Sequence, residues 1–404
     1  MTQAEEIAGP PPAQEDSTVR GWSGVAVLAA ATFTVVTAEM LPVGLLTPMG
    51  AALQVSEGRA GLSLTITGVV AAIAAPLLTS ALGRFDRRRV FGWLLAVVAL
   101  GNLGAAWSPN FGVLAAARVL VGIGMGGVWA MAAAMAVRLV PVKSAGPATA
   151  LVFSGVAVAS VLGIPAGAFL GALAGWRVAF LATAALAVLV LLAVAAVLPR
   201  MTAGQAVSLG GVLRLFGYPQ VRTGLLIVAF LVTGHFAAYT YVRPVLERVS
   251  GAGPATIGTL LLVYGIAGVI GNFVAGNAVV RAPRATLIVL STVLALTVLA
   301  LPALGGSLVV AGTLMAIWGL TYGGVSISSL TWVVASAPRF REGASALLTS
   351  IFNAAIAVGA LVGGLAADVV DVTSAMWLGG VLAAAALLTA ALGPAPVDGR
   401  VRDS

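Results

Sequence analysis

Twelve separate apolar stretches of about 20 residues run through this chain. At 1.5 Å of rise per residue, about 20 residues cross the roughly 30 Å hydrocarbon core of a bilayer as one helix. Lipid offers the backbone no hydrogen bonds, so a chain that crosses repeatedly must do so as helices or a closed barrel, and stretches this long read as helices. They lie near 24–47, 60–82, 90–107, 112–137, 147–171 and 177–198, then 223–244, 256–279, 285–304, 307–335, 343–367 and 373–393. The stretch 307–335 exceeds one span, which predicts a tilted or ragged end. The expectation is an all-α membrane protein of twelve transmembrane helices.

Composition then excludes most chemistry. Only 8% of the 404 residues are charged and 60% are hydrophobic, whereas a water-facing domain carries about 25% charged residues. Cysteine is absent and histidine occurs once, which removes disulfides, thiolate zinc and iron–sulfur sites, and paired-histidine haem. The single lysine, Lys143, has no glycine-rich approach, so there is no Walker A site. Gly122-Ile-Gly124-Met-Gly126-Gly127 spells the dinucleotide fingerprint, but it lies inside an apolar span with no acidic residue downstream. The expectation is no enzyme, no metal and no cofactor.

The basic residues orient the chain. With the N-terminus cytoplasmic, inner segments hold 16 of them, including Arg84, Arg87, Arg88, Arg89, Arg200 and Arg284. Outer segments hold Arg59, Arg177, Arg243 and Arg248, and Arg118 lies within a span. This asymmetry predicts both termini on the cytoplasmic face. It also accounts for the net charge of +8 as topology, with no nucleic-acid partner. Abundant Ala, Val, Gly, Leu and Arg suggest a GC-rich bacterial genome, hence a bacterial inner membrane. The predicted domains are a disordered tail (1–21), a six-helix bundle (22–198), a connector with amphipathic character (199–221), a second six-helix bundle (222–393) and a tail (394–404).

The two halves repeat weakly. Shifted by 196 residues, Glu39…Pro48 falls on His235…Pro244; shifted by 197, Gly167 falls on Gly364. Parallel six-helix repeats with a substrate site between them are a common transporter plan. Three ionisable side chains lie within spans, where each is costly to keep. Glu39, Arg118 and His235 all sit roughly 18 to 22 Å from the inner edge. Glu39 can bind and release a proton, Arg118 can hold it ionised or bind substrate, and His235 can relay protons or donate to substrate. A structural ion pair and a hydrogen-bonded interhelical histidine are the competing readings.

Pro42, Pro48, Pro76, Pro165 and Pro244 each free a backbone carbonyl and permit a bend. Gly163 and Gly167 are among the small residues that let helices approach closely. Polar and aromatic side chains able to line a cavity include Trp129, Tyr239, Tyr241 and Asn353, with Tyr264, Trp318, Trp332, Asn102 and Asn272.

These motifs resemble the major facilitator superfamily, specifically its twelve-span drug:proton antiporter branch, over about residues 20–393. Thr37-Ala-Glu39-Met-Leu-Pro42-Val-Gly44 is similar to the first-span signature of bacterial drug, sugar and nucleoside exporters, whose acidic residue is implicated in proton coupling. Arg118-x-x-x-Gly122-x-Gly124 resembles the fourth-span motif whose arginine is tied to proton transfer. Gly163-Ile-Pro165-Ala-Gly167, followed by Gly175-Trp176-Arg177, is like the fifth-span antiporter motif. His235-Phe236 through Tyr239, Tyr241 and Pro244 resembles the seventh span of sugar, nucleoside and chloramphenicol exporters. The loop between spans two and three departs from the family pattern: Thr79, Gly83, Arg84, Asp86, Arg87 and Arg88 stand where Gly-x-x-x-Asp-Arg-x-Gly-Arg-Arg is usual. The usual Asp caps a neighbouring helix and gates the inner mouth; Asp86 is the carboxylate available to replace it.

The resemblance implies a proton-coupled exporter of small drug-like or metabolite molecules, including antibiotics, working as a monomer by alternating access. A proton-coupled importer of sugars or nucleosides is the alternative. A receptor or scaffold without transport is disfavoured by the intramembrane charges.

Overall fold

The computed structural model describes residues 13–81, 85–201, 214–338 and 340–396. Among these every regular element is helical, and twelve helices are long and apolar enough to span a membrane. Spans 1 to 6 are Arg20–Leu53, Glu57–Ala75, Arg87–Ala106, Phe111–Leu139, Val142–Ala174 and Trp176–Val197. Spans 7 to 12 are Pro219–Tyr239, Pro254–Arg281, Pro283–Leu304, Leu308–Ser336, Gly343–Val369 and Ser374–Leu392. They form two six-helix bundles that meet where span 2 packs on span 11 and span 5 on span 8. Large apolar side chains point outward as well as inward, among them Leu77, Trp93, Phe273 and Leu296. That is the surface of a protein whose solvent is hydrocarbon.

Four spans are broken, and the residues say why. Span 1 runs as an α-helix to Met40, tightens to a 3-10 turn over Leu41–Leu45 and resumes at Leu46. Pro42 cannot donate to the carbonyl four residues back, so the regular ladder stops there. Span 7 stops at Tyr239 and continues beyond a two-residue turn as Val242–Ser250. Span 5 loosens to a π-helical turn over Ala159–Gly163, just ahead of Pro165. Here Gly265 of span 8 packs so closely that a Cβ would lie 2.6 Å from the Ser160 carbonyl. The long tenth stretch is not a ragged span: Leu308–Gly323 and Val325–Ser336 are two helices joined at Gly324.

Two further boundaries differ from expectation. The first helix is already formed at Ala13, the first described residue, within the segment expected as tail. Span 7 begins at Pro219, inside the expected connector, because proline is well placed at a first helical position. The predicted amphipathic segment of the connector falls mostly on 202–213, outside the described residues, as do Gly83 and Arg84.

Candidate functional site

The site is built around the break in span 1. Pro42 leaves the Ala38 carbonyl without its helical donor, and Arg118 of span 4 fills the gap. Its Nη1 donates to Ala38 O at 2.8 Å, Nη2 to Glu39 O at 3.0 Å, and Nε to Ser63 O of span 2 at 3.0 Å. Arg118 is fully buried and Glu39 is 5% exposed. The structure therefore brings Glu39 and Arg118 together, but corrects how. The guanidinium holds backbone, not carboxylate, and the two side chains form no ion pair. A planar fork with several donors suits divergent carbonyls better than one carboxyl would. Glu39 is left with Oε1 buried and without a hydrogen-bond partner.

Span 7 places His235 in the other bundle, within a nest of rings. Its Nδ1 accepts from Trp318 Nε1 at 3.0 Å, and its Nε2 lies 3.4 Å from the Tyr264 hydroxyl. Because Trp318 can only donate, the neutral imidazole carries its hydrogen on Nε2 and directs it at Tyr264. The Tyr322 ring stacks on His235 with centroids 3.3 Å apart, and Tyr239 stacks at 5.0 Å from His235 and 4.7 Å from Tyr264. The hydroxyls of Tyr239 and Tyr322 are buried without partners. Each bundle thus buries unpaired polar atoms: Glu39 Oε1 in the first, the Tyr239 and Tyr322 hydroxyls in the second. Tyr322 is absent from the sequence reading, although its position four residues after Trp318 puts it on the same helix face.

Not every expected residue joins them. Tyr241, expected to line a cavity, is instead fully buried where the bundles meet. Its hydroxyl donates to Ala360 O at 2.9 Å and presses on Gly61 and Gly364, where any Cβ would collide with it. Trp129 is half-buried against Phe153, with centroids 6.0 Å apart. Asn353 is half-buried and donates to Thr349 O of its own helix at 2.9 Å. Gly163 and Gly167 pack span 5 on Thr37 and Leu41 of span 1. Pro48 sits in the first turn after the 3-10 segment and frees the Gly44 carbonyl, which accepts from Arg243 of the opposite bundle. Arg243 was expected in an outer segment; it is 4% exposed, because the chain stays helical past Pro244 to Ser250.

Further polar bridges between the bundles gather at the end opposite the chain termini. Ser56 Oγ donates to Asp368 Oδ2 at 2.8 Å, the Gly58 N–H donates to Asp368 Oδ1 at 3.0 Å, and Arg248 pairs with Glu57 at 2.7 Å. Asp368 thereby caps the start of span 2 from span 11, across the two bundles. At the terminal end, Asp86 Oδ1 accepts from the backbone N–H groups of Arg88 at 2.9 Å and Met201 at 3.2 Å. The Arg87 N–H donates to Met201 O, and the Arg88 guanidinium to Ala195 O. Partial burial works to raise the Asp86 carboxyl. The two N–H donors with Arg89 and Arg200 outweigh it and hold the group below its ordinary range.

A family model for the Major Facilitator Superfamily matches residues 28–351. The transcription regulatory protein OpdE of Pseudomonas aeruginosa is 36% identical over 371 residues, covering 91% of either chain. The purine ribonucleoside efflux pump NepI of Escherichia coli is 34% identical over 376 residues, covering 93% of this chain and 94% of the pump. Among solved structures, a bacterial homolog of the human lysosomal transporter Spinster, inward-facing and occupied, superposes with a TM-score of 0.76 at 17% identity. That match covers 95% of this chain and 97% of the other. A mutant of the nucleoside transporter NupG gives 0.73 at 14%, covering 91% and 97%. The structural likenesses establish the fold, and the sequence matches establish the family. The chain is a multi-pass membrane transporter, not an enzyme, and belongs to the major facilitator superfamily.

Proposed function

We propose that this transporter is a proton-coupled exporter in which Glu39 carries the proton. The observation that carries the reading is the Glu39 carboxyl itself, buried and lacking a donor on Oε1, with Arg118 committed to backbone carbonyls beside it. A carboxyl so placed has a vacant position that a proton can occupy without breaking any protein hydrogen bond. In this reading the termini are cytoplasmic, as the basic residues predict, so the bridged end faces outward. The two bundles, 22–198 and 222–393, rock about the seams of spans 2 and 11 and of spans 5 and 8. Protonation of Glu39 from outside favours release of substrate there.

The substrate proposed is a small amphipathic molecule with a planar ring. The stacked faces of His235, Tyr239, Tyr264 and Tyr322 provide an aromatic wall, and the free Tyr239 and Tyr322 hydroxyls provide hydrogen bonds. Similarity to the pump NepI favours a purine nucleoside within that class. Trp129 and Asn353 are proposed as further cavity contacts.

Inside-out vesicles from an exporter-deficient bacterial host test the reading. With an acidic lumen they should accumulate nucleosides or drugs from a panel, and Glu39→Gln should lose that accumulation while retaining downhill exchange. Full gradient-driven accumulation by Glu39→Gln would remove Glu39 from coupling. Accumulation confined to right-side-out vesicles under an inward proton gradient would reverse the direction to import.

A further inference from the structure

At the terminal end, spans 3 and 6 leave between them a surface cavity of about 430 Å³ whose lining is divided between charged and apolar side chains. Its rim carries Arg88, Arg89 and Arg200 with Asp86, and its floor is Trp93 and Leu191 with small neighbours. Span 3 starts at Arg87 and span 6 ends at Val197, so the rim lies at the boundary of the apolar segments. Trp93 follows six residues later, roughly 9 Å deeper along the helix. It is 73% exposed, an unusual state for an indole unless hydrocarbon covers it.

From this geometry we infer that the groove between spans 3 and 6 binds one anionic glycerophospholipid, its phosphate at Arg89 and Arg200 and an acyl chain along Trp93 and Leu191. The charge balance supports it. Three arginines face one carboxylate, whose Oδ1 already accepts from the Arg88 and Met201 N–H groups. Arg88 is partly committed, its guanidinium donating to Ala195 O. Arg89 and Arg200 are exposed, and neither side chain hydrogen-bonds to another of the described residues, which leaves both forks for a phosphodiester. A soluble anion would use the rim alone, whereas the exposed indole and leucine below it match the depth of an acyl chain. The inference does not depend on proton coupling or on substrate.

Native mass spectrometry of the full chain in neutral detergent tests it, titrating phosphatidylglycerol against phosphatidylcholine of the same acyl composition. One phosphatidylglycerol should be retained in preference to phosphatidylcholine. The pair Arg89→Gln with Arg200→Gln should weaken its binding roughly tenfold, and Trp93→Ala should weaken both lipids. Melting curves in detergent establish that each variant is folded, and single Arg89→Gln is read if the pair is not. Equal retention of the two lipids overturns the inference, as does phosphatidylglycerol binding that the arginine substitutions leave unchanged. Displacement of the lipid by inorganic phosphate alone would show a site for free anions and would also overturn it.

Discussion

Arg118 Nη2 rests on the backbone carbonyl of Glu39, 3.0 Å away, while the Glu39 carboxyl keeps one oxygen unpaired. The arginine thus closes the break that Pro42 opens, and its charge stays beside the acid without being spent on it. Arg118→Ala leaves the Ala38 and Glu39 carbonyls without these donors and should cost about 3 kcal/mol or more, read as a lower melting temperature in detergent. It should also displace the pH profile of transport. Arg118→Lys keeps the charge but cannot reach three divergent acceptors, so it should lose stability and retain the profile. A profile unmoved by the alanine variant would reduce Arg118 to a packing residue.

Asp86 makes a prediction whose sign follows from its environment. Its folded carboxyl is held below the ordinary 3.8 by the Met201 and Arg88 N–H groups and by Arg89 and Arg200, against the opposing effect of burial. Its stabilisation is therefore present above the ordinary value and lost as pH falls through the lower folded one. Asp86→Ala should cost about 1 kcal/mol at neutral pH, the usual worth of a helix cap. Melting curves of the two proteins should converge as pH is taken below 3.8. Any pH dependence of transport near neutrality should survive this substitution.

The spans were legible because twenty uncharged apolar residues have one economical arrangement in lipid, and the tenth was misread only in its break at Gly324. Glu39, Arg118 and His235 stood out because charge is rare in such stretches. Their partners did not. Which carbonyl Arg118 would hold depended on Pro42 stopping the helical ladder and on span 4 crossing at that level. Neither is visible in the spacing of residues 39 and 118. Arg243 was hidden for the same reason. Beside Pro244 it reads as a loop charge, yet helix continues to Ser250 and carries it to the carbonyl freed by Pro48. Asp368 reads as an ordinary end-of-span acid until the bundles are docked.

Asp368 should control how readily the bridged end opens. It accepts from Ser56 Oγ and the Gly58 N–H, which belong to the other bundle. One contact is exposed and the other only part-buried, so together they are worth about 1 kcal/mol, or roughly fivefold in an open-to-closed ratio. The chain has no cysteine, so Thr47→Cys introduces a sole thiol into the cavity of about 500 Å³ at that end. Labelling by a membrane-impermeant maleimide should rise several-fold when Asp368→Ala is added. Asp368→Asn should give a smaller rise, since its amide oxygen can still accept from Gly58 but its NH2 cannot accept from Ser56. Equal labelling rates in all three backgrounds would mean that other contacts hold this end.

Tyr239 and Tyr322 separate binding from folding. Their hydroxyls are buried and make no hydrogen bond within the protein, so Tyr→Phe at either position removes nothing that holds the fold. Stability should stay the same or rise slightly, since a desolvated and unpaired hydroxyl is itself unfavourable. If these hydroxyls serve substrate, each substitution removes a neutral hydrogen bond of about 1 kcal/mol, roughly fivefold in Kd. His235→Phe offers the contrast. It keeps a ring in the stack but strips Trp318 Nε1 of its acceptor, so stability should fall by about 1 to 3 kcal/mol. Substrate binding by isothermal titration and melting temperature should therefore move independently in the tyrosine variants. Loss of stability without loss of affinity at Tyr239 and Tyr322 would remove the aromatic wall from the substrate path.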